Sequence, residues 1–142
     1  MPTTATIPAS HHDLLERPIC GVLATMLLSG FPQASVVWCA FDGTDVLVST
    51  TAERTKTKNM AARPLVAILI ADPDDGSRFL QIRGEAEITK DGACELVDQL
   101  AAAYTEHARF YGGVVPSEQQ HEETRVLCTI RPTRVTVDAI QT

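Results

Sequence analysis

The sequence predicts a mainly β fold, a β-barrel of about six to seven mostly antiparallel strands with flanking helices. Short runs rich in Val, Ile, Leu and Phe alternate with turn signals built on Gly, Pro and Asp. Only residues 91–107 repeat apolar side chains at a clear helical spacing. The chain has 142 residues, enough for one core and too few for two ordinary domains. A sheet that wide in so short a chain removes its edges by curling, with helices across its mouth or along its side.

Residues 1–12 read as a flexible lead-in and residues 13–142 as the single domain. Residues 12–16 make a helical turn that stops before Pro18, because the position preceding proline is pushed out of the helical region. Residues 19–28 and 33–41 are β-like runs separated by Ser29-Gly30, which predicts a hairpin. Asp42-Gly43 supplies the positive φ of a second tight turn, and residues 46–50 form the next strand. Thr51 caps a helix over residues 54–62, ended by Pro64, and residues 65–71 read as a fully buried strand.

Pro73-Asp74-Asp75-Gly76 turns the chain into residues 79–88. There Leu80, Ile82, Ala86 and Ile88 alternate with Gln81, Arg83, Glu85 and Glu87, one face buried and one wet, and Gly84 marks a bulge. Ala93, Leu96, Val97, Leu100 and Tyr104 line one side of the amphipathic helix over residues 91–107. Residues 110–123 form a loop containing Gly112-Gly113, with a helical turn after Pro116. Two final strands, residues 125–130 and 134–139, are separated by Pro132.

Composition excludes several function classes. An apolar fraction of 44% with 21% charged residues belongs to a folded globular chain. A net charge of −6 argues against a general nucleic-acid binder. The longest apolar runs, residues 20–28 and 65–71, are about half of a bilayer-spanning helix, so no membrane segment is expected. The first residues lack the basic flank and apolar run of a secretory signal. Cys20, Cys39, Cys94 and Cys128 show no C-x-x-C spacing and suit buried free thiols in a reducing, cytoplasmic compartment. His11 and His12 read as solvated side chains of the lead-in, and His107 and His121 have no partners at metal-ligand spacing. Ser35 and Cys39 lack a nearby histidine and Asp74-Asp75 reads as a turn, so a covalent mechanism is not expected.

The chemistry concentrates in residues 49–59. Ser49, Thr50, Thr51, Thr55 and Thr57 supply hydroxyls and Arg54, Lys56 and Lys58 supply cations, between a strand end and a helix start. Hydroxyls and free backbone N–H groups at such a junction bind phosphate oxygens, Arg54 can grip two oxygens in a fork, and Lys56 adds a point charge. The same charge pattern also fits a solvated helix face. Of the aromatic residues, Trp38 is expected to pack in the core or a dimer contact, with substrate stacking as the alternative, and Tyr104 to anchor the loop after its helix. Phe110 and Tyr111 are open between anchoring and bordering a substrate pocket.

The order of motifs resembles the pyridoxamine-phosphate-oxidase-like superfamily of FMN-binding split β-barrels, and especially its small deazaflavin-dependent branch. Four blocks carry the resemblance: Gly21-Val22-Leu23-Ala24-Thr25; Gly30-Phe31-Pro32-Gln33-Ala34-Ser35; Arg54-Thr55-Lys56-Thr57-Lys58-Asn59-Met60 with Pro64; and Asp75-Gly76 leading to Gly84-Glu85-Ala86. It implies that Gln33, Ala34, Ser35 and Val36 lie along an isoalloxazine-type ring and that Ser49, Thr50 and Thr51 line a ribityl chain. It implies too that Arg54, Lys56, Thr57 and Asn59 hold the phosphate, with Lys58 nearby. Family members are homodimers with two sites at the interface, so a homodimer is implied, its site closed by Arg78 of the partner subunit or Phe79 of the partner subunit.

By the same resemblance the activity is that of an oxidoreductase, moving a hydride from a reduced cofactor ring to a conjugated small molecule. Coenzyme F420 is the implied cofactor and FMN the alternative, since both present a tricyclic ring and a ribityl phosphate. The polyglutamate tail of coenzyme F420 could meet Lys58 or Arg63. A non-catalytic protein that binds a flavin or a tetrapyrrole is the other reading. Pyridoxamine-phosphate oxidation itself is not expected, because true oxidases carry a longer C-terminal part whose basic residues hold the substrate phosphate. Where the deazaflavin branch often places a tryptophan after the Asp-Gly turn, this sequence has Ser77, followed by Arg78.

Overall fold

The β-forming runs become strands β1 (Gly21–Met26), β2 (Pro32–Val37), β3 (Cys39–Phe41), β4 (Val46–Thr51), β5 (Leu65–Asp72), β6 (Asp75–Thr89) and β7 (Arg125–Val137). Helix α1 is Asp13–Glu16, α2 is Thr55–Ala62 and α3 is Ala93–Tyr104. This computed structural model describes residues 4–138. All strand pairings are antiparallel, in one seven-stranded sheet of order β2-β1-β5-β6-β7-β4-β3. No helix among the described residues is long and apolar enough to cross a membrane.

That order contains a geometric demand. β2 and β3 are opposite edges of the sheet, yet Trp38 alone separates them in the chain. Laid flat, seven strands at about 4.8 Å spacing would set the edges roughly 29 Å apart, whereas the step across a single residue spans at most about 7 Å. The sheet therefore curls into a barrel whose edges come together at Trp38. The expected single strand over residues 33–41 is corrected accordingly: it divides at Trp38, its first half pairing with β1 as the hairpin required and its second half with β4.

Leu23, Val46, Val48, Ile68, Ile70, Leu80, Ile82, Cys128 and Ile130, each fully buried, fill the interior and Met60 of α2 plugs it. Outside the barrel α3 lays Leu96 and Leu100 on Ala40, beside Trp38, Leu47 and Leu127. Tyr104, expected to anchor the loop after its helix, ties the helix itself to the barrel. Its ring stacks on Trp38 at 5.3 Å, and its hydroxyl donates to the Ile19 carbonyl at 2.8 Å and accepts from the Cys39 N–H at 3.1 Å.

Several expectations are corrected. β7 is one continuous strand, with Pro132 placed opposite Gly84 where the β6–β7 register shifts. The bulge takes up the missing N–H of proline there. Residue 139, the end expected for the last strand, lies outside the described residues. β5 is not fully buried but alternates, leaving Leu65 68% and Leu69 39% exposed. Thr51 does not cap α2: Arg54 holds the N-cap position, without a side-chain capping bond. Of the four thiols only Cys39 and Cys128 are buried; Cys20 and Cys94 are exposed.

The lead-in is also tied down. Ile7 and His11 are buried, the Ala5 N–H donates to the Pro132 carbonyl at 2.8 Å, and His11 Nε2 bonds Asp138 Oδ1 at 2.8 Å. Arg78 fastens the segment further, bonding Asp13 at 2.6 Å, Asp72 at 3.0 Å and the Ser10 carbonyl at 2.6 Å. The bond from Arg78 holds the Asp13 carboxyl down at about 2, below its ordinary 3.8.

Two predictions follow from these contacts. A Cβ at Gly84 would run into the Arg131 carbonyl and stand 2.9 Å from Ile130 Cγ2, so Gly84→Ala should destabilise the fold by about 1–3 kcal/mol in urea unfolding. A depressed carboxylate pKa contributes stability that is present above the unfolded value and lost as pH falls through the folded one. The wild type should therefore lose stability between about pH 4 and pH 2. Arg78→Met should be less stable at neutral pH and show a shallower decline across that window, measured by acid-dependent urea unfolding.

Candidate functional site

Alternation along β4 sorts its hydroxyls. Ser49 is half-buried on the outer side, whereas Thr50 and Thr51 are buried. The chain turns at Ala52-Glu53 and enters α2, where burial alternates again: Lys56 is half-buried, Thr57 buried, Lys58 exposed and Asn59 buried. The buried polar groups bond one another. Thr57 Oγ1 donates to the Thr51 carbonyl at 2.6 Å and lies 3.1 Å from Thr50 Oγ1. Asn59 Nδ2 donates to Thr25 Oγ1 at 3.1 Å, and Thr25 donates on to Gln33 Oε1 at 3.2 Å. Arg63 closes the chain, donating to Asn59 Oδ1 at 3.3 Å and to the Met26 carbonyl at 2.8 Å.

A cavity of about 190 Å³ opens beside this junction. Val36, Val37 and Trp38 line it from the edge strand, Ser49 from β4, Lys56 from α2, Val97 and Leu100 from α3, Phe110 from the following loop, and Arg125 from the start of β7. Lys56 Nζ donates to Ser35 Oγ at 3.3 Å and Arg125 Nη1 to Ser49 Oγ at 3.3 Å, so each cation carries a seryl hydroxyl with it. Burial, then the charges of Arg54 and Arg125, depress the Lys56 pKa below the ordinary lysine value. Among the described residues neither Lys56 nor Arg54 has a carboxylate within ion-pair distance. A half-buried cation that two others push toward neutrality is restored by an anion. The cavity is therefore suited to one.

The expected site residues fall into groups. Val36, Ser49 and Lys56 line the cavity, Ser35 joins through Lys56, and Arg54 is close enough to act on Lys56 electrostatically. Thr50, Thr51, Thr57 and Asn59 are only 3–4% exposed and bond within the protein, and the Gln33 amide is engaged with Thr25. The bonds of Thr57 and Asn59 orient α2, and none of these residues lines the cavity. Lys58 and Ala34 are exposed but do not line it. Phe79 sits mid-sheet opposite Ala71, and the donors of Arg78 are engaged with Asp13, Asp72 and Ser10 of its own chain. Sequence reasoning missed Arg125 and left Phe110 undecided. Arg125 opens an expected strand of ordinary composition just after Glu122, Glu123 and Thr124, and only the pairing Thr51↔Arg125 brings it to the site.

The two buried thiols are not poised for covalent work, since burial raises the Cys39 pKa and pushes the Cys128 thiol up to about 12. What the geometry provides is a slot with an apolar, aromatic side and a cationic, hydroxyl-bearing side. That suits a planar molecule with an anionic appendage.

Comparison with known proteins agrees with this architecture. Residues 7–137 match the family model described as pyridoxamine 5'-phosphate oxidase. A solved structure named F420 reductase superposes with a TM-score of 0.77 at 33% identity, covering 92% of this chain and 98% of that one. A candidate pyridoxamine 5'-phosphate oxidase from Listeria innocua gives 0.67 at 24%, covering 88% and 92%. The heme storage protein HutZ of Vibrio cholerae gives 0.68 at 14%, covering 94% and 96%, a likeness of fold alone. With its curled seven-stranded sheet, a match over nearly its whole length and a relative one-third identical, this chain belongs to the pyridoxamine 5'-phosphate oxidase family of split β-barrels.

Proposed function

We propose that this protein is an oxidoreductase that binds coenzyme F420 and reduces a conjugated small molecule. The observation that carries the reading is the half-buried Lys56, without a carboxylate partner among the described residues, beside Arg54 and hydrogen-bonded to Ser35. It fits the phosphate of a ribityl-phosphate cofactor. The one-third-identical relative named F420 reductase favours the deazaflavin over FMN. Lys58, exposed two residues beyond Lys56, is available to carboxylates of a polyglutamate tail.

When bound, a reduced deazaflavin supplies a hydride for an electron-poor carbon of the acceptor, and water supplies the proton that completes the two-electron reduction. The chain's own part is placement. Lys56 and Arg54 fix the anionic end, Ser35 and Ser49 offer hydroxyls to polar edges, and Val36, Trp38, Val97, Leu100 and Phe110 exclude water from the reacting region. No side-chain acid is required.

The reading includes a homodimer. Outward residues of three neighbouring strands form one apolar face, in register as Val36–Val22–Leu69 and Ala34–Ala24–Ala67. Val36, Val22, Leu69, Met26 and Leu65 are 39–68% exposed. A contiguous patch of that kind marks an association surface, and Val36 belongs both to it and to the cavity. A second copy seated there would wall the open side of the site. The four free thiols suit a reducing compartment, so the reading places the protein in the cytoplasm.

Visible absorption and fluorescence titrations with purified coenzyme F420 and FMN test the assignment. The deazaflavin should bind and FMN bind more weakly; FMN binding with none for coenzyme F420 overturns it, and tight binding without turnover of any acceptor makes the protein a carrier. Lys56→Met should weaken binding roughly 10- to 100-fold, the range of charge-assisted bonds. Affinity should fall as pH rises through the lowered Lys56 pKa, and Lys56→Arg should remove that decline. In sedimentation the wild type should be a dimer and Val22→Glu a monomer with weakened cofactor binding.

A further inference from the structure

Arg125 lines the cavity, yet the proposed function gives it no task. Its guanidinium has five N–H donors in a fixed plane. The side edge is occupied: Nε donates to Tyr111 Oη at 3.2 Å and Nη2 to Glu123 Oε2 at 2.7 Å, while the Tyr111 hydroxyl donates to the same carboxylate oxygen at 2.6 Å. Gln119 Nε2 holds the other oxygen of Glu123 at 3.1 Å. The guanidinium also packs on aromatic rings, its carbon 4.7 Å from the Phe110 ring centre and 5.5 Å from that of Tyr111. Phe110 is fixed in turn by its N–H bond to Asp98 at 2.9 Å.

What is left is the terminal edge. Nη1 reaches Ser49, a cavity-lining residue, and each terminal nitrogen keeps a further N–H. Side-chain exposures of 11% for Arg125 and 16% for Glu123 make this a shielded and immobile arrangement. Apart from Ser49 and Lys56, the latter assigned to the anionic end of the cofactor, the rest of the wall is apolar or aromatic, formed by Val36, Val37, Trp38, Val97, Leu100 and Phe110, and about 190 Å³ is below the usual range for a drug-sized ligand. The cavity thus offers room for one small conjugated unit and one paired-donor edge for an anion.

We propose that Arg125 determines acceptor specificity: its terminal edge pairs with the carboxylate of a small planar conjugated acid, and Glu123 and Tyr111 are positioning residues that hold the guanidinium for it. The word acceptor rests on the oxidoreductase reading. The carboxylate rests on the cavity alone.

Trp38 is the only tryptophan and lines the cavity, so its emission reports occupancy. Trans-cinnamate and the uncharged trans-cinnamamide are titrated by calorimetry and Trp38 quenching into the full-length wild type and into Arg125→Gln, Arg125→Lys and Glu123→Gln. The wild type should prefer the acid by roughly 10- to 100-fold. Arg125→Gln should abolish the preference and leave the amide unaffected. Arg125→Lys, which keeps the charge without the paired donors, should retain part of it and serves if the first variant does not fold. Glu123→Gln removes a competing negative charge, so a merely electrostatic role would widen the preference; a positioning role narrows it, and Glu123→Asp should restore it in part.

The proposal is overturned if the wild type does not bind the acid, if it binds acid and amide equally, or if the preference survives in Arg125→Gln. It is also overturned if Arg125→Gln weakens coenzyme F420 instead. A wild type that binds neither coenzyme F420 nor FMN, yet shows an Arg125-dependent acid preference, keeps this site and removes the oxidoreductase reading. Cofactor binding without the preference does the reverse.

Discussion

The single-residue step at Trp38 constrains everything else in the molecule. Because β2 and β3 end up on opposite edges of one sheet, the chain between them can be spanned only if the sheet closes on itself. Closure carries Ser35 of β2 to the start of α2, where it meets Lys56, and leaves Val36, Val37 and Trp38 facing Ser49 and Arg125 across a cavity. The cavity is thus a product of the seam. α3 reinforces the same point, since Tyr104 stacks on Trp38 and bonds residues on both sides of the seam, Ile19 ahead of β1 and Cys39 in β3.

Within the hydroxyl-rich segment a division of labour follows from strand and helix periodicity. Alternate residues of β4 and successive residues of α2 cannot all face one cavity. The buried ones have to find partners inside the protein, because an unbonded polar group in the interior would cost about 1–3 kcal/mol: Thr57 bonds Thr50 and the Thr51 carbonyl, and Asn59 bonds Thr25 and Arg63. Those directed outward, Ser49, Lys56 and Arg54, are left for a ligand. The inward set fixes the pose of α2, and hence where the Lys56 ammonium stands.

Local chemistry was legible in the sequence to the extent that it is local. The turns at Ser29-Gly30 and Asp42-Gly43, the amphipathic spacing of α3 and the bulge at Gly84 all report on neighbours in the chain. What could not be read is pairing at a distance. Residues 33–41 read as one β-forming run, apolar without a break from Val36 on, and nothing local says that Trp38 divides it. Pro132 predicts a strand end unless the Gly84 bulge is known to lie opposite. Arg125 escapes for the same reason, being brought to the site by pairing with Thr51 across more than half the chain. The exposed leucines of β5 make the complementary case: an apolar run looks buried until the sheet shows which side lacks a cover.

The electrostatic setting narrows which anions this cavity selects. The chain as a whole carries −6, so at long range it repels anions, and that field is screened beyond about 8 Å at physiological ionic strength. Inside the seam the sign reverses, because Arg54, Lys56 and Arg125 lie close enough for the two arginines to depress the lysine. A polyanion that lacks a flat apolar body meets mostly the repulsive exterior. A ligand with a flat apolar body and its charge gathered at one or two points can bury the body against Trp38, Val97, Leu100 and Phe110 and bring only those points to the cations. Selectivity then comes from where the ligand's charge sits relative to its planar body, and the barrel closure sets that distance.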